Sequence, residues 1–210
     1  MYLSRLPLDV RRYETMRALA APVRLHGMIE RGFLGERERN LWRIDELRGT
    51  TYLLLLSRER PDLSEAQKQI GFDSRPPETR DYAPLLARVN AGSRWRFRLC
   101  ANPTRSVPQP GQKRGYVEAV TVAFAQREWL ERQADKHGFS LQAGEFDVVK
   151  SEWVRFEKGR DGARPVTMLR ATFEGVLTVK DAALFQEALT QGLGRGKAYG
   201  MGLMTVVGCG

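Results

Sequence analysis

The sequence is poor in the side chains that hold transition metals and in the apolar runs that cross membranes. Its 210 residues include two cysteines, Cys100 and Cys209, and two histidines, His26 and His137, and none of the four has the spacing of a zinc site. No apolar segment approaches the roughly 20 residues that a membrane-spanning helix requires. We therefore expect a cytoplasmic protein with free thiols, without membrane attachment, a metal ion or another cofactor.

Basic side chains outnumber acidic ones. The chain has 34 Lys and Arg against 25 Asp and Glu, a formal net charge of +9, and its 42% hydrophobic content is typical of a folded protein. Fixed positive charge favours a polyanionic partner, because binding to phosphates releases their counterions. A generally basic protein without such a partner is the alternative.

The hydrophobic pattern predicts an α+β fold in which the order β-α-β-β-α-β occurs twice. Two domains of residues 1–92 and 93–210 fit this repeat. The predicted elements include a helical turn after residue 9, capped by Asp9, and a helix over residues 22–33. Residues 59–80 and 102–115 are predicted loops, and separate strands are predicted over 139–149 and 153–157.

A basic stretch without any acidic residue runs from Tyr82 to Val117. Within it, residues 94–99 alternate arginine with apolar side chains, which in a strand places three guanidinium groups on one face, roughly 6.6 Å apart. Such like charges repel unless an anion or carboxylates offset them. A half-buried strand with a solvated face is the alternative, but we predict that this region binds nucleic acid through Arg94, Arg96, Arg98, Arg105, Lys113 and Arg114.

A basic hairpin is predicted around the turn of residues 159–162, which contains an Asp-Gly pair. Its cations are Arg155, Lys158, Arg160, Arg164 and Arg170. A protruding ribbon of this kind is suited to the backbone and shape of duplex RNA, whose base edges lie in a deep, narrow groove. A merely solvated hairpin is the alternative.

Near the C-terminus, residues 192–202 form a glycine-rich loop that contains Gly192, Gly194, Gly196, Gly200 and Gly202. A predicted helix precedes the loop and a strand follows it, the reverse of the order that a dinucleotide-binding loop requires. A P-loop is excluded too, because Gln191 and Ala198 stand where its first glycine and its hydroxyl residue belong. The remaining function is close approach of the backbone to a ligand, with Arg195 and Lys197 supplying positive charge.

Several of these segments together resemble the CasE-type CRISPR-associated endoribonucleases, the RNA-processing subunits of type I-E systems. The resemblance covers essentially the whole chain, and its most specific parts are the arginine strand that ends in Ala-Asn-Pro and the glycine-rich loop. The matching positions are residues 1–4, His26, 96–103, 128–130, 173–179 and 192–202.

The resemblance implies two tandem ferredoxin-like (RRM-like) domains and a function. The family cleaves precursor CRISPR RNA without a metal ion at the 3′ base of each repeat stem-loop. It retains the mature guide RNA beside the other subunits of a Cascade-type surveillance complex. The match places the catalytic histidine at His26 and the stem-binding hairpin at residues 155–164.

One position departs from the family. A tyrosine is expected three residues before the histidine, and Val23 occupies that position here. Its role is either taken by another group, for example Tyr13, Tyr199 or a hairpin lysine such as Lys158, or is absent. A non-catalytic subunit that binds structured RNA on the same fold is the alternative that Val23 favours.

Metal-free RNA cleavage requires a base for the ribose 2′-hydroxyl, charge stabilisation at the phosphate and a proton for the 5′-oxygen. A histidine titrates near neutral pH, so His26 suits either proton transfer. Arg155, Lys158 or Lys197 are the cations expected to stabilise the phosphate. The products would be a 2′,3′-cyclic phosphate and a 5′-hydroxyl. A protein that binds single-stranded nucleic acid by aromatic stacking fits the sequence less well. Trp95 and Phe97 alternate onto the face of the strand opposite the arginines.

Overall fold

A computed structural model describes residues 1–35, 38–111, 115–158 and 164–209 of the chain. The first part of the chain forms eight elements: β1 (Tyr2–Pro7), α1 (Tyr13–Ala20), α2 (Pro22–Glu30), β2 (Leu41–Leu47), β3 (Thr50–Ser57), α3 (Ser64–Ile70), β4 (Glu78–Asp81) and α4 (Ala83–Leu86). The remainder forms β5 (Arg94–Ala101), β6 (Thr104–Val107), β7 (Tyr116–Ala119), α5 (Ala123–Lys136), β8 (Phe139–Lys158), β9 (Arg164–Val179), α6 (Ala182–Gln191), a 3-10 turn (Lys197–Tyr199) and β10 (Met204–Gly208).

The contacts divide the chain into two compact units. As far as the structure describes them, the first comprises Met1–Arg88, Phe156–Val166 and Lys197–Leu203. The second comprises Val89–Arg155, Thr167–Gly196 and Met204–Gly210. The chain therefore enters the first unit three times, and the last entry brings the end of the glycine-rich loop into it.

The first unit contains an antiparallel sheet with the strand order β2-β3-β1-β4. Alternating residues of its strands, such as Leu6 and Leu53, share one buried face with Leu25, Met28 and Ile29 of α2. These α2 residues follow helical spacing, and Pro22 occupies the first turn, where its missing N–H costs nothing. The apolar face of α2 therefore fixes which residues of the helix point away from the core.

The sheet of the second unit has the strand order β10-β5-β9-β8. When the strands of each unit are numbered one to four along the chain, both sheets have the order 2-3-1-4. Its core includes the ring pairs Trp129–Phe173 and Phe139–Phe185, with centroids 6.0 and 5.4 Å apart. Asp181 caps α6, because its carboxylate accepts the backbone N–H of Leu184 at 3.0 Å. The expected α+β fold with two ferredoxin-like sheets is confirmed.

The predicted loop over residues 59–80 was wrong, because it contains α3 and β4. Only Ala66 and Ile70 of α3 are buried, which leaves a weak apolar signal for a helix. β4 has no apolar residue and joins the sheet through backbone pairing with β1 and a Ser4–Thr79 hydroxyl contact of 2.9 Å. β4 therefore completes the first sheet, and β5 lies in the second sheet.

Three further local predictions were wrong. Residues 102–115 are not one loop, because β6 pairs with β7, and the two strands predicted between residues 139 and 157 are the single strand β8. α1 begins at Tyr13, and Asp9 does not cap it. The Asp9 carboxylate instead accepts hydrogen bonds from the guanidinium and backbone N–H of Arg11, which lower its pKa to about 2.

The predicted hairpin turn at 159–162 lies outside the described residues.

No helix within the described ranges is long and apolar enough to cross a membrane.

The first unit contains a buried ion pair on β2. The Arg43 guanidinium donates to both carboxylate oxygens of Asp45, at 3.0 and 2.5 Å. It also donates to the backbone carbonyl of Leu203 at 2.7 Å. The side chains of Arg43 and Asp45 are 2% and 4% exposed, so water cannot replace either partner. This contact fastens the end of the glycine-rich loop to β2.

Replacement of Arg43 by methionine leaves the Asp45 carboxylate buried without its cation. We expect Arg43→Met to lower the free energy of unfolding by about 3–5 kcal/mol, measured by urea denaturation. The matched control is Arg58→Met, which removes an exposed pair with Glu38 and should cost less than about 1 kcal/mol. Equal losses in the two variants would contradict the anchoring role of Arg43.

Candidate active site

His26 lies on the face of α2 that points away from the core. With Val23, Gly27 and Glu30 it lines a cavity of about 500 Å³. The His26 side chain is 24% exposed, and its Nδ1 lies 3.9 Å from Glu30 Oε1, one helical turn along α2. The imidazole is thus held beside a carboxylate and still reaches solvent, as a group that transfers protons to a substrate must.

The remaining wall of this His26 cavity comes from residues that follow α2 and β3. They are Phe33, Gly35, Glu38, Asn40 and Glu59. Three carboxylates therefore line the cavity, those of Glu30, Glu38 and Glu59, and Glu38 is paired with Arg58 at 3.1 Å. In the described ranges, no group of three or more His, Cys, Asp or Glu side chains is arranged to hold a metal ion. The described lining contains no lysine or arginine, so a phosphate near His26 would need positive charge from outside it.

The segment of residues 197–203 lies against the helix that carries His26. Its 3-10 turn, Lys197–Tyr199, contacts both α2 and β2. The ring of Tyr199 packs against Phe156 with centroids 4.7 Å apart. Lys197 is half-buried, and burial together with the nearby charge of Arg39 lowers the pKa of its ammonium group.

The glycine spacing of this loop is explained by its backbone. Gly192, Gly194, Gly196, Gly200 and Gly202 all have positive φ, between 73° and 87°. At Gly200 a steric limit is added, because a Cβ atom there would lie 2.7 Å from Cζ3 of Trp42. Glycine is therefore required for the chain to pass this close to the buried indole.

The arginine strand β5 has the predicted alternation. Trp95, Phe97 and Leu99 are buried, whereas the arginines between them face outward. Carboxylates offset two of the three charges, since Arg94 pairs with Glu145 at 2.6 Å and Arg98 pairs with Glu174 at 2.5 Å. Arg96 is exposed and has no acidic partner among the residues that the structure describes. Arg96 is therefore the member of this row best placed to contact an external anion.

Two other predicted cations meet at a second cavity of about 250 Å³. Arg105 on β6 and Arg195 of the glycine-rich loop line it together with Trp129 and Gln133. Arg105 is paired with Glu118 at 2.7 Å, while Arg195 is exposed and its backbone forms a bridge with Asn102. The Ala-Asn-Pro segment and the glycine-rich loop are thus neighbours in space.

The predicted hairpin cations are described only in part. Arg155 is exposed on β8. Lys158 ends β8 and Arg164 begins β9, but their side chains, like Arg160, lie outside the described residues, as do Lys113 and Arg114. The roles of these residues stay predictions.

Tyr13, a candidate substitute for the missing tyrosine, lies on α1. Its ring is 74% exposed and carries the Arg17 guanidinium 5.4 Å from its centroid. The described lining of the His26 cavity includes Val23 and not Tyr13. Sequence reasoning missed Arg39, Asn40 and Glu59, because these residues come from separate segments and carry no motif.

A family model described as "CRISPR associated protein" matches residues 1–207 of the chain. The CRISPR-associated endoribonuclease Cse3 of Thermus thermophilus is 30% identical over 98% of this chain and 99% of its own length.

Solved structures of Cse3 match as well. One, bound to a 19-nucleotide RNA, superposes with a TM-score of 0.82 at 28% identity over 99% of this chain and 100% of that one. The Thermus thermophilus protein bound to an RNA representing a pre-cleavage complex gives a TM-score of 0.79 at 27% identity, over 98% of both chains.

The close approach at Gly200 generates a prediction about stability. Gly200→Ala should destabilise the protein both through its positive φ and through overlap with the Trp42 ring. Gly144 is the matched control, because its φ is +82° and nothing lies within 4 Å of an added Cβ. We expect the free energy of unfolding of Gly200→Ala, measured by thermal and urea denaturation, to be about 1–3 kcal/mol lower than that of Gly144→Ala. Identical stabilities would show that the loop does not need this contact.

Proposed function

Because the chain belongs to the CRISPR-associated protein family that includes the Cse3 endoribonuclease, we propose that it is an endoribonuclease that processes CRISPR RNA. Its substrate is the stem-loop of a precursor repeat, which it cleaves at the 3′ base of the stem without a metal ion. It then retains the mature guide within a Cascade-type complex. The assembly and the cleavage position rest on the family resemblance.

The observation that carries the proposal is the position of His26. The family resemblance puts the catalytic histidine at His26, and α2 presents this side chain to a cavity rather than to the core. A histidine on the core face of α2, such as at the position of Met28, would have no access to RNA. The position of the His26 side chain and its chemistry are therefore both consistent with proton transfer to or from a bound RNA.

The proposed reaction uses the RNA's own 2′-hydroxyl as nucleophile. Its oxygen bonds to the adjacent phosphorus while the bond from phosphorus to the 5′-oxygen breaks. One proton leaves the 2′-oxygen and one proton reaches the 5′-oxygen, so the products are a 2′,3′-cyclic phosphate and a 5′-hydroxyl. His26 serves one of these two transfers, and no water or metal is consumed.

Substrate binding is proposed to use the exposed cations of the second unit. Arg96 and Arg155 are exposed, and Arg195 lines a cavity beside the glycine-rich loop. Arg94, Arg98 and Arg105 are each paired with a glutamate. RNA phosphates would have to compete with those carboxylates, so these three should contribute less to affinity than Arg96, Arg155 and Arg195.

A second function is favoured by the lining of the His26 cavity. Val23 is apolar, and three carboxylates repel a phosphate. A subunit that binds the stem-loop without cleaving it would tolerate both features. The two functions differ in a single observable, which is strand scission.

Substitution of the two histidines separates catalysis from folding. With hairpin repeat RNA in EDTA, we expect wild-type protein to yield a 2′,3′-cyclic phosphate and His26→Ala to lose at least about a hundredfold in rate, since general acid–base catalysis contributes about 10²–10⁴. His137→Ala, at the end of α5, should cleave normally. The products are measured on denaturing gels and by mass spectrometry.

Cleavage by His26→Ala at the wild-type rate would disprove the role of His26. Tight binding without scission by the wild-type protein would favour the non-catalytic subunit. Scission that EDTA abolishes would contradict metal independence.

A further inference from the structure

The lining of the His26 cavity leaves one chemical requirement unmet. Cleavage places extra negative charge on the scissile phosphate, which must be stabilised by donors close to it. Val23 supplies no donor, and Glu30, Glu38 and Glu59 carry the wrong charge. The described lining contains no lysine or arginine, so the cations must come from outside it, and a segment that lies against α2 can supply them.

The 3-10 turn is such a segment. It contacts α2 and β2. It is held in place by one contact of its own residues and by two contacts of the residues that follow it. Within the turn, Tyr199 packs on Phe156. Beyond the turn, Gly200 abuts Trp42, and the carbonyl of Leu203 accepts from the buried Arg43 guanidinium. Lys197 is thus a half-buried cation on a fixed backbone, not a side chain of a free loop.

Arg39 adds a second positive charge at this place. It stands between Glu38 and Asn40, which both line the His26 cavity, and its charge is close enough to Lys197 to lower the pKa of that lysine. Arg39 itself is exposed. Arg39 therefore lies in the segment that lines the cavity, and Lys197 lies on a turn that contacts α2 and β2.

Neither cation has an acidic partner among the residues that the structure describes. Several arginines elsewhere in the described chain are paired with carboxylates, as Arg43 is with Asp45 and Arg58 is with Glu38. Two neighbouring positive charges, one of them half-buried, repel each other unless an anion lies between them. An RNA phosphate is an anion of the right kind, since each of its non-bridging oxygens can accept from one cation.

We infer that Lys197 and Arg39 bind the scissile phosphate beside His26 and stabilise its charge during cleavage, in place of the tyrosine that Val23 replaces. This inference rests on the proposed function. Burial makes the free Lys197 easier to deprotonate, and a bound phosphate favours its charged form, so RNA binding and protonation of Lys197 are coupled.

The two tyrosines considered for this role fit less well. Tyr13 is 74% exposed on α1 with an arginine over its ring. Tyr199 shares the turn with Lys197, but its ring is held against Phe156. A phenol has no positive charge, whereas the carboxylates around His26 have to be outweighed by cations.

The test measures single-turnover cleavage of hairpin repeat RNA in EDTA with protein in excess. Binding is measured separately with an RNA that carries a 2′-deoxy sugar at the cleavage site. Lys197→Met keeps the aliphatic stem and removes the charge, and Lys197→Arg keeps the charge. Lys180→Ala, an exposed lysine after β9, is the control for net charge. Circular dichroism melting verifies that each variant is folded.

We expect Lys197→Met to slow cleavage by about 10²–10³-fold, as the loss of one transition-state donor does, with a much smaller change in binding. Arg39→Ala should slow cleavage to a lesser extent, because it is the more exposed of the pair. Lys197→Arg should recover most of the rate, and Lys180→Ala should match wild type.

Wild-type rates for Lys197→Met, or a loss confined to binding, would overturn this inference and leave the proposed function intact. Failure of Lys197→Arg to recover activity in a folded protein would overturn the charge-based role. Absence of cleavage by the wild-type protein would overturn both proposals together.

Discussion

The buried guanidinium of Arg43 is the contact on which the arrangement of the first unit depends. It satisfies both oxygens of Asp45 and the carbonyl of Leu203. A carbonyl held by a buried charge cannot move away without leaving that charge unsolvated. The strand β2 therefore holds the last part of the glycine-rich loop, and through it the 3-10 turn against α2. A segment far along the chain is in this way held against the helix that carries His26.

The backbone conformation of the loop glycines also helps to hold the loop in place. Positive φ at all five positions bends the chain, and the bare Cα of Gly200 lets it pass against Trp42. The loop carries two cations, Arg195 in the second unit and Lys197 in the first. The described lining of the His26 cavity contains three carboxylates and Val23 but no lysine or arginine, so a phosphate there depends on cations outside that lining.

Much of the fold could be predicted where side chains repeat with a clear period. The apolar spacing of α2, the Asp181 cap and the alternation of β5 are local signals. α3 and β4 were missed because two buried side chains and a purely polar strand give almost no hydrophobic signal. His26 was singled out through family resemblance, since a lone histidine has no pattern, and its catalytic role stays a prediction. Arg39, and the pairing of Arg94 and Arg98 with glutamates, depend on tertiary contacts that no sequence period encodes. The predicted boundary at residue 92 stays a prediction.

The central claim is that His26 and the turn of Lys197 act on one phosphate. It is tested most directly by an experimental structure of the protein with a repeat hairpin that carries a 2′-deoxy sugar at the cleavage site. The account predicts the scissile phosphate within hydrogen-bonding reach, about 3 Å, of both the His26 imidazole and the Lys197 ammonium group. A phosphate bound beside His26 with Lys197 turned away, or one bound far from both, would contradict it.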